Sequence, residues 1–543
     1  MNFLLPSRSD IDTTGSIDQP SAKRRRFRHD PFFTGQLQIQ VRYRMITESG
    51  TDFLLMRTTL RHDELYDRCA RMVMRSTPIR GLNACRWYAK FIHDPVACIR
   101  DSYHAHGLLA AVGNILPSSK PERLYALAIG PDFNRQVLGD PNLFHPSGPP
   151  RRWGSGHDDS ALNRLSYGLT RMTGAKHQQQ RRLILPPLQR NAVKHYSGTI
   201  VATTDRFLEA WGRAHTLDLL PQIRALSLHI SSRTLFDLEE PESANALGHM
   251  IQEWITRNHS MGVWICPFDL PGTPFRRLRE HAERLEQSIL RMVERKRSAP
   301  AGSHDVFSLL VHARDDDHSQ MTDAELIGQA TILLSASYET MSSALTWTLF
   351  LLAQHPGVMA DLLDELDGTL HGESPTSEQL DQLRLLDAVI HESMRILPPV
   401  PSTLRKATCE VELGGLQLKR GDRVILGHYM THHLPDLYVN PEEFQPRRWF
   451  EMTPGQYDYV PFSAGPRPCV GAGFAMTVIK TVLAMALQRF RFSVVPNSRI
   501  DRLVQVTMRP KFGMPMVLQR QDRQFQAARV TGNIHEMVRL SSD

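Results

Sequence analysis

The chain is poor in cysteine for its length: six among 543 residues, at Cys69, Cys85, Cys98, Cys266, Cys409 and Cys469. No two stand at a C-x-x-C spacing, so neither a zinc knuckle nor a disulfide framework is indicated. A reducing cytoplasm is the expected compartment. Long apolar runs are missing too. No stretch reaches the roughly 20 apolar residues that span a bilayer, and the opening MNFLLPSRSD holds too short an apolar core for a signal peptide. An excess of one charge is also lacking. The 64 Lys and Arg stand against 57 Asp and Glu, a net of +7, which is modest for this length and predicts no nucleic-acid partner. No internal repeat is visible. What remains is ordinary globular sequence, 41% hydrophobic and 22% charged, enough for one large core or two ordinary ones.

Residues 1–80 read as an N-terminal extension, partly disordered. The first 35 residues are polar and carry Lys23-Arg24-Arg25-Arg26 and Arg28. That run is either a solvated tail, or a contact for an anionic partner or an address signal. The segment QLQIQVRYRMI then alternates as a strand does, followed by a charged stretch in which Met72 or Met74 offers an alternative start. Residues 81–520 read as one globular domain and 521–543 as a flexible tail.

Within that domain the periodicity is mostly helical. Helices are expected over Asp158 to Gly174, over 190–237 and over 275–297, with PFDLPGTP as a loop between the last two. The strongest helix is MTDAELIGQATILLSASYETMSSALTWTLFLLAQHP. Thr322 and Glu325 predict a capping box, and Pro356 predicts the stop after Gln354. At 1.5 Å per residue it runs about 50 Å, and it is apolar nearly all round, so it should be buried. A further helix is expected over Asp381–Leu397. Then VELGGLQLKRGDRVILGHY reads as a small antiparallel hairpin, and Ala472–Phe490 as a last helix before a β-like tail. The expectation is a mainly α fold, a large helical domain with a smaller antiparallel β region.

One stretch carries chemistry: PFSAGPRPCVGAGFAM, Pro461 to Met476. Read alone, Cys469 is either a buried inert thiol or a metal ligand. A thiolate there would face the positive end of the following helix and the cation of Arg467. Gly465 and Gly471 would free the backbone and leave room for a flat ligand. Phe462 can pack beside the sulfur. Together Phe462, Gly465, Arg467, Cys469 and Gly471 fit F-x-x-G-x-R-x-C-x-G at every fixed position. This resembles the haem-binding loop of the cytochrome P450 family, the haem-thiolate monooxygenases.

The resemblance implies haem b with Cys469 as its axial iron ligand and Arg467 on a haem propionate. It recurs along the chain. Glu392 and Arg395 in HESMRILPPVP match the family's E-x-x-R helix, and Arg448 in FQPRRW would complete its structural cluster. There Arg447 replaces the usual Glu and Trp449 the usual Phe. His177 and Arg181 resemble the H-x-x-x-R pair that grips the propionates, and Arg405 a further propionate arginine. Ala336-Ser337-Tyr338-Glu339-Thr340 matches [A/G]-G-x-[D/E]-T except at Ser337, which would narrow the oxygen groove or add a hydrogen bond. By resemblance Thr340 and Glu339 are the catalytic pair that delivers protons during oxygen activation.

The implied activity is insertion of one atom of dioxygen into an organic, lipophilic substrate. The sequence holds no flavin, nicotinamide or iron–sulfur motif, so electrons come from a separate ferredoxin- or flavodoxin-type protein. Arg447, Arg467, Lys480, Arg489 and Arg491 would form either its basic docking face or a plain solvated rim. A soluble monomer is expected. Alternatives on the same haem are a peroxygenase or hydroperoxide isomerase, and, from another class, a non-enzymatic haem-thiolate sensor or carrier.

Overall fold

The long apolar segment does fold as a single helix, and the rest of the chain is arranged around it. The computed structural model describes residues 37–47, 50–60, 78–113, 123–147, 160–258, 260–298, 305–315, 318–505 and 507–540. The chain divides into two units, Met1–Met72 and Val73–Asp543. In the first, β1 (Leu37–Thr47) pairs antiparallel with β2 (Gly50–Leu60), Leu37 opposite Leu60 and Thr47 opposite Gly50. The alternating segment is therefore a strand. The basic run, Met72 and Met74 lie outside the described residues.

The second unit opens with α1 (Gly81–His93), α2 (Pro95–His106) and α3 (Pro131–Gly139). Next come α4 (Ala161–Ser166), α5 (Gly174–Ile184), α6 (Leu219–Phe236), α7 (Pro241–Asn258) and α8 (Pro274–Ser298). The central helix is α9 (Asp323–Gln354), followed by α10 (Pro356–Leu370), α11 (Arg384–Ile396) and α12 (Ala472–Arg489). Thr322 and Glu325 make the expected capping box, and the helix stops at His355 before Pro356. It is sheathed by α4, α6, α8, α11 and α12. That explains why its sequence is apolar on every side.

The main sheet has the order β3-β4-β10-β7-β5, from Leu109–Val112, Tyr125–Ala128, Arg423–Leu426, Thr403–Ala407 and Phe144–Pro146. It is mixed rather than antiparallel, because β10 runs parallel to β4. Strand direction across some 300 residues is set by the intervening helices, and no alternation pattern encodes it. Only β8 (Val411–Leu413) and β9 (Leu416–Leu418) form the expected hairpin; the rest of that stretch, β10, joins the large sheet. A smaller sheet joins β11 (Phe490–Val494), β14 (Pro515–Arg520) and β6 (Thr216–Asp218), while β12 (Arg502–Val504) pairs with β13 (Met508–Pro510).

Three expectations are corrected. The helix expected over 190–237 is divided, with Ser197–Trp211 and Leu219–Phe236 as separate helices and β6 between them. The helix expected to end at Gly174 ends at Ser166, and Gly174 begins the next one. The break comes at Tyr167-Gly168, where backbone meets backbone. A Cβ on Gly328 of α9 would lie 2.2 Å from the Tyr167 carbonyl oxygen, and one on Gly168 would lie 2.6 Å from the Gly328 oxygen. The tail after residue 520 is not flexible through residue 540. Ile534, Met537 and Val538 are buried, and Arg499 and Glu443 form β-bridges with Thr531 and Arg539. Its apolar residues follow neither a helix nor a strand period, so no local pattern marks their burial.

Candidate active site

The turn ahead of α12 is shaped by its backbone. Gly465 has a φ of +71°, and a Cβ there would lie 2.4 Å from the Leu138 carbonyl oxygen of α3. Glycine is required on both counts. The Cys469 N–H donates to the Phe462 carbonyl at 2.8 Å, which closes the loop, while the half-buried Phe462 ring packs on the main core. Gly471 serves differently from the expectation. Its φ is −93° at the N-cap of α12, open to any residue. What it supplies is nearness, since a Cβ would stand 4.0 Å from Cys469 Sγ. The thiol is reachable by solvent yet lies deep among protein atoms. Burial pushes its pKa up, against the Gly471 N–H and the Arg181 charge, which pull it down. The protein alone thus favours the thiol; coordination to a metal would take its proton.

Around this sulfur gather the cations that the motifs singled out. Arg181 of α5 donates to the Pro468 carbonyl at 2.8 Å. Arg467 donates to the Leu169 carbonyl at 3.1 Å, and Arg405 of β7 to that of Leu404 at 3.1 Å. Among the described residues none of the three meets a carboxylate. Burial pushes Arg405 down to about 10. Arg467 also falls to about 10, through burial and then the charges of Arg405 and Arg181. His177, buried on α5, is held at about 4 by burial, Arg467 and Arg181. It is therefore neutral, with one ring N–H to donate. Half-buried cations that repel one another and lack an anion form a socket for one. A planar group bearing two carboxylates and a central metal fits: guanidinium and imidazole donors for the carboxylates, Cys469 Sγ for the metal.

On α9, buried along most of its length, Ile332, Ser335, Ala336, Ser337, Glu339 and Thr340 escape burial. Positions 332, 335, 336, 339 and 340 share one face. The Thr340 hydroxyl donates to the Ala336 carbonyl at 2.7 Å. Ser337 donates to the Leu334 carbonyl at 3.0 Å, so it adds a hydrogen bond within its own helix. Glu339 forms an ion pair with Arg224 of α6. Gln252 of α7 accepts from Arg224 at 2.5 Å and from the Tyr338 hydroxyl at 2.8 Å. Burial and the Glu339 charge raise the Tyr338 pKa, which keeps it a donor. One residue connects this helix to the cysteine turn. The Leu169 N–H donates to Gln329 Oε1 of α9 at 3.1 Å, and its carbonyl is the one that accepts from Arg467.

The predicted structural cluster is assembled. Glu392 and Arg395 are both fully buried and pair at 2.9 Å, and Arg448 Nε reaches Glu392 at 3.0 Å. Trp449, the departure from the family pattern, donates its Nε1–H to Glu392 at 2.9 Å. Arg447 turns away to Asp361 of α10 at 2.8 Å.

The proposed basic face does not form from the five residues named. Besides Arg447, Lys480 is buried against Asp387 at 2.7 Å, and Arg489 and Arg491 pair with Asp205 and Asp522 at 2.5 and 2.9 Å. Arg467 points to Leu169. Sequence reasoning also missed Arg224 and Leu169. No local signal marks either: Arg224 is 115 residues from Glu339, and Leu169 acts through its backbone.

Comparison with known proteins agrees with this geometry. A family model described as Cytochrome P450 matches residues 121–515. Cyclooctat-9-en-7-ol 5-monooxygenase of Streptomyces melanosporofaciens is 30% identical over 74% of this chain and 85% of its own. Pentalenene oxygenase of Streptomyces avermitilis is 26% identical over 70% and 84%. Among solved structures, a cyanobacterial CYP120A1 with retinoic acid bound superposes with a TM-score of 0.69, at 23% identity over 80% of this chain and 96% of that one. No helix among the described residues is long and apolar enough to cross a membrane. With a cysteine turn ringed by donors and this likeness over most of its length, the chain belongs to the cytochrome P450 family, the haem-thiolate monooxygenases.

Proposed function

We propose that Cys469 Sγ would ligate the iron of a haem b, and that Arg181, Arg405, Arg467 and His177 would hold its propionates. The substrate we propose is a lipophilic, largely hydrocarbon ring compound. The observation that carries the reading is the carboxylate-free set of donors around a recessed thiol. When bound, the haem supplies oxygen activation, consuming two electrons and two protons to place one oxygen atom on the substrate and release the other as water.

The chain's own residues handle position and protons. Gly471 N–H donates to the sulfur and moderates its charge. The exposed face of α9 offers Ile332 and Ala336 as apolar surface for the substrate, with the Thr340 and Ser335 hydroxyls beside them. The Thr340 hydroxyl donates a hydrogen bond to the Ala336 carbonyl and keeps its lone pairs free to accept. Glu339 is the carboxylate nearest in sequence to that hydroxyl; released from Arg224, its Oε atoms can take a proton from water and pass it inward. The ring-compound class rests on the names of the Streptomyces relatives, cyclooctat-9-en-7-ol 5-monooxygenase and pentalenene oxygenase. Electrons come from a separate ferredoxin- or flavodoxin-type donor, since the sequence shows no flavin or nicotinamide motif. The sparse cysteines, unpaired among the described residues, fit work in a reducing cytoplasm.

The test is optical. Reduced, haem-loaded protein under carbon monoxide should show the red-shifted Soret band of thiolate ligation, and Cys469→Ala should lose it. A folded, haem-loaded wild type without that band overturns the ligand assignment. A panel of cyclic hydrocarbons and their alcohols should then shift the ferric spin state, whereas fatty acids and peptides should not.

A further inference from the structure

A second group of cations lies on the opposite side of β7. Side chains alternate across a strand, so Arg405 and Lys406 point to opposite faces. Arg405 faces the haem donors. Lys406 stands directly opposite His145 of β5 and Arg423 of β10, forming a row of basic residues across three strands. Like charges in register destabilise a sheet. Arg423 is relieved by Tyr125, over whose ring its guanidinium lies at 5.4 Å. Lys406 and His145 have no such relief among the described residues.

These two open onto a recess of about 390 Å³, also lined by Arg123, Thr408 and Arg420. Among the described residues no acidic side chain lines it. Asp422, next to Gly421, is buried and turned away. It accepts the backbone N–H of Leu124 at 3.0 Å and of Lys419 at 2.8 Å. Arg123, Lys406 and Arg420 come from three separate segments, so their charges meet from different sides. Arg123 packs at Gly421, where a Cβ would stand 3.5 Å from its Nη1. Such an arrangement calls for a compact ligand of about three negative charges. The volume is in the range of small-molecule sites, and a lone orthophosphate would leave most of it to water.

We propose that this recess binds the diphosphate group, or an equivalent pair of adjacent phosphates, of a small molecule. His145, which lines the recess, has its pKa lowered by burial and then by the charges of Lys406 and Arg467.

The test is calorimetric titration of the haem-loaded protein at low ionic strength with pyrophosphate, ADP, orthophosphate and sulfate. Pyrophosphate and ADP should bind comparably, and orthophosphate about tenfold more weakly, a difference of about 1.4 kcal/mol. Sulfate at matched ionic strength should not displace pyrophosphate. Lys406 and Arg420 are exposed, so Lys406→Ala and Arg420→Ala should fold. Retention of the thiolate carbon monoxide band checks this, and each should weaken pyrophosphate about tenfold. Pyrophosphate binding no tighter than sulfate, or unchanged in both variants, overturns the proposal. Binding of ADP without pyrophosphate overturns it too, by moving recognition to the nucleoside.

Discussion

Two of the arginine clusters in this domain differ in how their charge is met. Around Glu392, one carboxylate takes donors from Arg395, Arg448, Trp449 and the Gln445 N–H, all at 2.9 to 3.0 Å. Arg395 also reaches the His432 and Pro441 carbonyls at 2.8 Å. Every charge has its partner inside the protein. Around Cys469, Arg181, Arg405 and Arg467 have backbone carbonyls and one another. A matched cluster holds a fold; an unmatched one awaits a ligand. Charge balance distinguishes the two where residue type does not.

The largest effect should come from unbalancing the first cluster. Glu392→Gln leaves Arg395 charged and buried, at a cost of about 3–5 kcal/mol; denaturant titration should show it, or folded protein should fail to accumulate. The second cluster should respond with opposite signs in two assays. Arg467→Met or Arg405→Met should speed haem loss about tenfold, equivalent to about 1.4 kcal/mol, when haem is transferred to apomyoglobin. The same variants should raise the melting temperature of the haem-free protein, because a repelling charge is gone. A fall in both assays would erase the contrast.

A smaller effect concerns turnover. Thr340→Ala should release more hydrogen peroxide per electron consumed, with haem content unchanged; equal coupling would count against the role given to its hydroxyl. The smallest is a pH effect. Unfolded, His177 protonates near its ordinary value of about 6.5; folded, at about 4. Unfolding therefore takes up a proton between these values, so haem-free stability should fall as pH drops from about 6.5 to about 4 and stay level above. His177→Gln should flatten part of that slope in melting curves.

Much of the site was readable because its parts are local. Five positions within ten residues carry the cysteine turn, and Glu392-Arg395 and His177-Arg181 are spaced for one helix face. The capping box at Thr322 and the apolar length of α9 made that helix plain. What escaped depends on partners far along the chain. Arg224 meets Glu339 only because α6 packs across α9. The parallel pairing of β4 with β10 and the break at Gly168 are likewise tertiary. The basic face failed because Arg447, Arg489 and Arg491 meet acidic neighbours that their own segments do not reveal, and Lys480 is buried.

The burial of the C-terminal segment bears on the order of folding. Arg502, with no exposed side-chain surface, bridges Asp94 at the start of α2 and Glu536, at 2.6 and 2.8 Å, across a separation of 408 residues on the first side. During synthesis Asp94 emerges long before either partner, so α2 must wait with its carboxylate in water while the haem domain forms behind it. Contacts of such long range carry a large loop-closure cost and form late. The protein should therefore pass through a stage in which the cysteine turn is complete and α2 is still loose. Haem can enter at that stage, before the chain's last contacts close.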